Sequence, residues 1–310
     1  MELRALKSLD TLAATGSITR TAQKLNLSPA AVHKQLKVLE DELGVQLYEK
    51  SGRQLRLTQA AITLLPYVKN LLAQYDATLL ALNEWKGSKH GLIKVGTGPA
   101  TSSYILPFFL GKFRRKFPNV ELSVETGAAS YTVECLRTGS LDLIFLVSGD
   151  DFYDPDFRVE ASWDFEMVLV SAQQRGVRPC SLSELQEHPF IFYKEGSVFD
   201  RLIERYFMEA DFHPRVIMRL DNTEAIKAMI RLRLGISMLP MWTLKAELKD
   251  RTLSLIQQKE PPLFAKISLV TRRHIYRSKP LEGFVKLAQH WHWKEVYMTN
   301  RQRRLSADIR

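Results

Sequence analysis

Cysteine is scarce: two thiols, Cys135 and Cys180, in 310 residues. That is too few for a disulfide framework or a multi-cysteine zinc site, and it suits a reducing compartment. No apolar run approaches the roughly 18–20 residues that a membrane helix needs. The opening stretch MELRALKSLD carries acids and no apolar segment, so no signal peptide and no membrane span are expected, and a cytoplasmic location is. Catalytic signatures are missing too. There is no G-x-S-x-G elbow, no GxxxxGK(S/T) loop and no GxGxxG, and Gly96-Thr97-Gly98 is too short to count. The seven histidines do not fall at metal spacing with acids or cysteines, and His290 and His292, two apart, do not share a helix face. No metal, no cofactor and no enzymatic activity is expected.

What is present is an ordinary globular composition with a basic surplus. Hydrophobic residues make up 45% of the chain, enough for a packed core, and 310 residues suit two or three domains. The net charge of +10 leans toward a polyanionic partner without specifying a fold. Positions 1–90 hold 12 basic and 8 acidic side chains, so the surplus is spread along the chain and only its placement can argue for nucleic acid.

Leu3, Leu6, Leu9 and Leu12 mark one face of a first helix ending near Gly16. Ser17 is placed to cap a short second helix with Ile18, Ala22 and Leu25 on its apolar face. Ser28 then stands at an N-cap and Pro29 at the first helical position. Val32, Leu36, Leu39 and Leu43 form the buried stripe of this third helix, and Gly44 ends it. Two short helices across a tight turn, the second beginning with the slim residues Ser28, Pro29, Ala30 and Ala31, match a helix-turn-helix whose leading end can enter a major groove. His33, Lys34 and Lys37 lie on the exposed face. The competing reading is a plain three-helix bundle with solvated lysines. After Leu47-Tyr48, the turn Ser51-Gly52 and the alternation Gln54-Leu55-Arg56-Leu57 predict a β-hairpin wing. Lys50, Arg53 and Arg56 lie on it with no acid from 50 to 58, suited to phosphates or a narrow minor groove.

The run Ser17 to Thr58 resembles, without gaps, the DNA-binding domain of LysR-type transcriptional regulators. That pattern has a serine-capped second helix, a recognition helix ending in Leu-Glu-x-x-Leu-Gly, then Leu-Phe-x-Arg and a wing closing on Leu-Thr. This chain supplies Leu39-Glu40, Leu43-Gly44, Leu47-Tyr48, Lys50 and Leu57-Thr58. It departs at three positions. Tyr48 stands for the usual Phe, Lys50 for Arg (without its bidentate fork), and His33 stands where a small hydroxyl residue is common. The resemblance implies that Ser28, Ala30, His33 and Lys34 face bases while Arg53 works from the wing, with a base preference altered at His33. The candidate DNA-binding residues are Ser28, Pro29, Ala30, His33, Lys34, Lys37, Arg53 and Arg56.

Ala61, Leu65, Val68, Leu72, Tyr75, Leu79 and Leu82 alternate spacings of four and three, as in a coiled-coil seam. Leu65, Val68, Leu72, Tyr75, Leu79 and Leu82 are therefore the candidate dimerisation residues. The alternative is a long helix packed on its own chain. Pro66 is expected to kink the helix or mark a fresh start. In the resembling family this segment is the linker helix that pairs subunits.

From Leu92 a βαβαβ pattern begins. Leu92–Val95, Val120–Val124 and Leu141–Val147 are predicted as strands and Ser102–Phe117 and Ser130–Thr138 as helices. It recurs with strands at Pro189–Tyr193, Arg215–Arg219 and Ile236–Leu239 and helices at Ser197–Met208 and Asn222–Leu234. Two such lobes imply a ligand cleft at the C-terminal ends of their strands. Leu106-Pro107, Phe117-Pro118, Gly139-Ser140-Leu141-Asp142, Gly235-Ile236 and Leu239-Pro240 are similar to landmarks of the family's effector domain, a fold shared with type 2 periplasmic binding proteins. The ligand in such folds meets the helix after the first strand, where free N–H groups favour an anion. Gly98, Ala100 and Ala128 lack the hydroxyls often found there, so the candidate effector-binding residues are Thr97, Thr101, Ser102, Ser148, Ser197 and Asn222.

The expected fold is thus α/β, in three parts: a winged helix-turn-helix DNA-binding domain (1–58), a linker and dimerisation helix with a hinge (59–90), and a two-lobed α/β effector-binding domain (91–310). Lobe I covers about 91–162 and 268–300, lobe II about 163–267. The expected function is sequence-specific transcriptional regulation by a homodimer or homotetramer on pseudo-palindromic double-stranded DNA, governed by a small-molecule, anionic effector. RNA polymerase is a candidate further partner. The rival classes are a two-lobed enzyme or solute binder with an incidental helical N-terminus, and a thiol switch at Cys135 or Cys180. Cys135 sits among apolar neighbours, and Cys180 precedes a capped turn.

Overall fold

The computed structural model describes residues 1–51, 54–85, 91–150, 152–172 and 179–291. The chain divides into two compact units, residues 1–88 with 134–141 and residues 89–133 with 142–310.

The first unit opens with α1 (Leu3–Thr15), closed by Gly16 in the left-handed region at φ 65°. Ser17 accepts a hydrogen bond from the Arg20 amide and starts α2 (Ile18–Leu25). Ser28 accepts from Ala31 N at 3.1 Å and starts α3 (Pro29–Leu43), with Pro29 in the first turn and Gly44 at φ 69° after it. Each boundary is a local matter of caps and backbone freedom. Leu6, Leu9, Leu12, Ala22, Val32, Leu36 and Leu39 bury together, whereas Leu43 is 37% exposed because the apolar stripe has rotated past the core by the last turn. β1 (Tyr48–Ser51) and β2 (Gln54–Leu57) pair antiparallel from Tyr48–Leu57 to Ser51–Gln54.

Two polar side chains tie the wing to the helices. The buried Glu40 carboxylate accepts from Leu47 N at 2.8 Å, fixing the bend after α3. Thr58 donates to Gln46 O at 2.6 Å and accepts from Ala61 N at 3.2 Å, which joins the end of the wing to the start of α4 (Gln59–Trp85). That helix runs through Pro66 as one element, so the proline marks no fresh start.

From residue 91 onward β3 (Gly91–Thr97) leads into α5 (Pro99–Tyr104) and α6 (Leu106–Lys116), then β4 (Val120–Thr126), α7 (Ala129–Arg137) and β5 (Leu143–Ser148). The single helix expected over Ser102–Phe117 is two, because Pro107 has no amide to continue α5 and instead opens α6. β3 pairs parallel with both β4 and β5. The sequence pattern contained no counterpart of the next element, β6 (Phe157–Ser171).

The second half runs β7 (Pro189–Tyr193), α8 (Val198–Glu209), β8 (Arg215–Leu220), α9 (Thr223–Arg231) and β9 (Ser237–Pro240). It continues with α10 (Lys245–Asp250), β10 (Ser254–Leu255), β11 (Leu263–Arg272) and α11 (Lys279–Gln289). β7 and β8 are parallel, and a parallel bridge between Phe190 and Ile236 joins β7 to the β9 side. Gly235 is required there, since a Cβ would lie 2.6 Å from the Pro189 carbonyl oxygen.

The antiparallel pair β6 and β11 runs through both lobes. β11 also pairs with β5, while the far end of β6 pairs with β9 and β10. Each lobe thereby has a twisted sheet covered by helices, and β6 and β11 are common to the two. The core of the first lobe centres on Phe109, whose ring lies 5.7 Å from Phe145, 4.7 Å from Phe284 and 5.0 Å from Trp291.

Leu36 is fully buried between the N-terminal helices. Leu36→Ala should lower the stability of the first unit by about 2–5 kcal/mol, read as an earlier urea midpoint, with the sheet-containing unit unfolding as before.

Candidate nucleic-acid interface and ligand cleft

Burial of Val32, Leu36 and Leu39 turns the opposite side of α3 to solvent. Ala30, His33, Lys34 and Lys37 fall three or four residues apart and share that face, and all four are exposed, as are Ser28 and Pro29. Residues 11–39 carry Arg20, Lys24, Lys34 and Lys37 and no acid, so the leading half of α3 presents positive charge without internal neutralisation. Lys37 lies one turn deeper and is 3.1 Å from Asp41. Arg56 is exposed on β2, across from Glu49. Arg53 lies outside the described residues.

One contact on this face was not foreseen. The Tyr48 hydroxyl is 2.9 Å from His33 Nδ1, and the rings meet edge-to-face with centroids 5.7 Å apart. Tyr48 is half-buried against the helical core. Burial, and then the nearby Glu40 carboxylate, push its phenol pKa above the usual value and keep it protonated. The residue types at 33 and 48 were visible in the sequence, but a pairing across 15 positions was not.

On α4, Ala61 and Val68 are buried, and Leu65 and Leu72 pack on the helical core of the first unit. Tyr75, Leu79 and Leu82 are 39%, 42% and 52% exposed. The seven-position seam therefore divides, its first half facing its own chain and its second half facing outward. Tyr67 and Leu71 are exposed as well and lie on the same side as Tyr75 and Leu82.

The cleft lies within the second unit, at the C-terminal ends of β3, β4, β5, β7 and β8, with a volume of about 310 Å³. Its second-lobe wall includes two helix starts that satisfy themselves. Ser197 Oγ accepts from Asp200 N at 3.2 Å, and Asn222 Oδ1 accepts from Glu224 N at 2.8 Å and Ala225 N at 3.3 Å. The first-lobe wall differs. Gly98 provides no side-chain cap to α5, and α7 follows Ala128, whose methyl group accepts nothing. Thr101 is 1% exposed, lines the cleft and makes no hydrogen bond through its hydroxyl among the described residues. Backbone donors and the unpartnered hydroxyls of Thr101 and Tyr104 thus line the space from this side.

The apolar part of the wall comes from Phe145, Tyr193 and Phe199, with Tyr193 hydrogen-bonded to Thr223 at 3.0 Å and its phenol pKa raised by burial. Tyr104, also on the wall, stands 4.8 Å above Lys227 Nζ and 6.0 Å edge-on from Trp242. The ammonium of Lys227 is itself held by Glu224 at 2.7 Å and Glu247 at 2.6 Å.

Of the residues named from sequence, Thr101, Ser197 and Asn222 come together on the cleft wall. Thr97 is buried at the end of β3, Ser102 lies off the wall, and Ser148 Oγ donates to Asp150 O at 2.8 Å. Tyr104, Arg201, Asp221 and Glu224 line the cleft without having been singled out. Tyr104 was within reach, being three residues beyond Thr101 on one helix face. Cys135 and Cys180 are half-buried and form no disulfide with each other. Among the described residues no group of three or more His, Cys, Asp or Glu is placed to hold a metal, and no helix is long and apolar enough to cross a membrane.

Residues 3–62 match the family model described as bacterial regulatory helix-turn-helix protein, lysR family, and residues 86–293 match the LysR substrate binding domain. The chain is similar to the HTH-type transcriptional activator CmpR of Synechocystis, 30% identical over 255 residues that cover 81% of this chain and 83% of that protein. Its fold is similar to a full-length OxyR variant from Pseudomonas aeruginosa (TM-score 0.77, 21% identity, 97% and 98% of the two chains). It is also similar to full-length CbnR complexed with its target DNA (TM-score 0.66, 21% identity, 93% and 99%). The chain belongs to the lysR family of bacterial regulatory helix-turn-helix proteins: it is a DNA-binding transcriptional regulator that carries a substrate-binding domain.

Proposed function

We propose that the protein reads a pseudo-palindromic duplex as a dimer or a pair of dimers, by laying the leading half of α3 in the major groove of each half-site. The observation that carries this is the slim, acid-free, outward face Ser28–Pro29–Ala30–His33–Lys34, held rigid by its own buried side. On this reading Lys34 and His33 reach base edges, Lys37 and Arg56 reach phosphates, and Arg53 adds a wing contact. The outward apolar stripe of α4, with Tyr67, Leu71, Tyr75 and Leu82, is the surface on which a second copy pairs.

The cleft takes the effector. Its uncapped first-lobe helix starts and the idle Thr101 hydroxyl suit an acceptor-rich group such as a carboxylate, and its rings suit an apolar body. Ligand binding across both walls biases closure about β6 and β11, and closure alters how paired subunits present their recognition helices. The protein acts in the cytoplasm, as a regulator and not an enzyme.

Lys34→Ala should weaken binding to the protein's preferred duplex by about 1–3 kcal/mol in fluorescence anisotropy while the sedimentation mass stays that of the parent; unchanged affinity places another helix in the groove. Leu71→Lys combined with Leu82→Lys should yield monomers by sedimentation with the melting curve preserved; a persistent dimer removes α4 from the interface. Thr101→Val should abolish the thermal shift given by whichever small organic acid stabilises the parent chain in a metabolite screen. A full shift in the variant moves the effector elsewhere.

A further inference from the structure

The geometry points to Tyr48 as a positioning residue for base recognition: its phenol donates to Nδ1 of His33 and so presents the Nε2–H of that ring as a fixed donor toward the acceptor edge of a guanine. This inference rests on the reading that α3 lies in the major groove.

An exposed histidine on a recognition helix is an ambiguous reader. Its neutral ring has two tautomers, so the outward nitrogen is either a donor or an acceptor, and the ring is free to turn. A partner on one nitrogen removes both freedoms, because it decides what the other nitrogen offers. Here the partner is the Tyr48 hydroxyl at 2.9 Å, and the edge-to-face ring contact fixes the imidazole plane as well. Tyr48 is suited to that task. It begins β1, is half-buried against the helical core, and its ring holds its place while His33 remains exposed.

The direction of the bond follows from the chemistry of the two groups. The phenol stays protonated beside Glu40, and an imidazole nitrogen is a better acceptor than a phenol oxygen. With Nδ1 accepting, the ring hydrogen sits on Nε2. If the ring gains a proton, Nδ1–H turns to donate to the phenol oxygen and Nε2 still carries its hydrogen. The outward nitrogen is a donor in both charge states, and among major-groove edges guanine offers two acceptors, N7 and O6. A phenylalanine at position 48 would pack but would leave His33 unheld.

The test uses the full-length protein and the duplex it selects from a random pool. The parent chain should require guanine at one position of each half-site, and Tyr48→Phe should weaken discrimination at that base pair about tenfold, the size of a lost base-edge contact, leaving the other positions and non-specific binding as they were. His33→Ala should relax the same position, with the double variant no worse than either single one. A duplex carrying 7-deazaguanine there should bind the parent more weakly and Tyr48→Phe with little further loss. In selectively 15N-histidine-labelled protein, the His33 signals should report a protonated Nε2 and an accepting Nδ1, a pattern that Tyr48→Phe erases. A base profile identical in parent and Tyr48→Phe overturns the inference, even if Tyr48→Phe melts earlier. So does an accepting Nε2 accompanied by a preference for adenine or cytosine. A parent chain with no preference among duplexes overturns the groove reading itself and this inference with it.

Discussion

The DNA-reading end depends on one constraint, the one-sided burial of α3. Val32, Leu36 and Leu39 have nowhere to go except against α1 and α2, and removing them from water stabilises that docking by roughly 1.5–3 kcal/mol each. With that face committed, the 100° step of the helix turns Ala30, His33, Lys34 and Lys37 outward. Polar contacts then complete the head. The buried Glu40 carboxylate holds the Leu47 amide, and Thr58 links the end of the wing to the long helix. The Leu-Glu and Leu-Thr pairs of the motif thus have a mechanical meaning beyond resemblance, since both satisfy backbone groups at corners.

The long helix illustrates how one periodic pattern can serve two demands. Residues 61, 65, 68 and 72 fall on one side and pack on the helices of their own unit, while 67, 71, 75 and 82 fall about a quarter-turn away and stay in water. A pure heptad count cannot separate these stripes, because each repeats at nearly the same interval. What separates them is packing: Ala61, Leu65, Val68 and Leu72 join the core of the first unit, whereas Tyr67, Leu71, Tyr75 and Leu82 remain exposed.

The sensing unit rests on two strands shared between its lobes. β6 and β11 carry pairing from one sheet to the other, so any opening of the cleft must twist or bend them. The cleft walls are chemically unequal. The second lobe has spent its helix-start amides on Ser197 and Asn222, whereas the first lobe has glycine and alanine where caps would stand. A ligand that needs hydrogen-bond donors finds them on the first-lobe side.

Local signals were legible in the residues themselves. Ser17, Ser28, Ser197 and Asn222 announced helix starts, Gly16 and Gly44 announced ends, and the βαβαβ alternation announced parallel sheets, because each of these is an interaction between residues within a turn or a strand of one another. The tertiary structure alone decided which of Thr97, Thr101 and Ser102 faces the cavity, that Pro107 divides one expected helix into two, that β6 and β11 span the lobes, and that Tyr48 holds His33. Those outcomes depend on contacts between residues distant in the chain, and no periodicity or cap encodes such contacts: the sequence states which groups need partners, and packing selects the partners they receive.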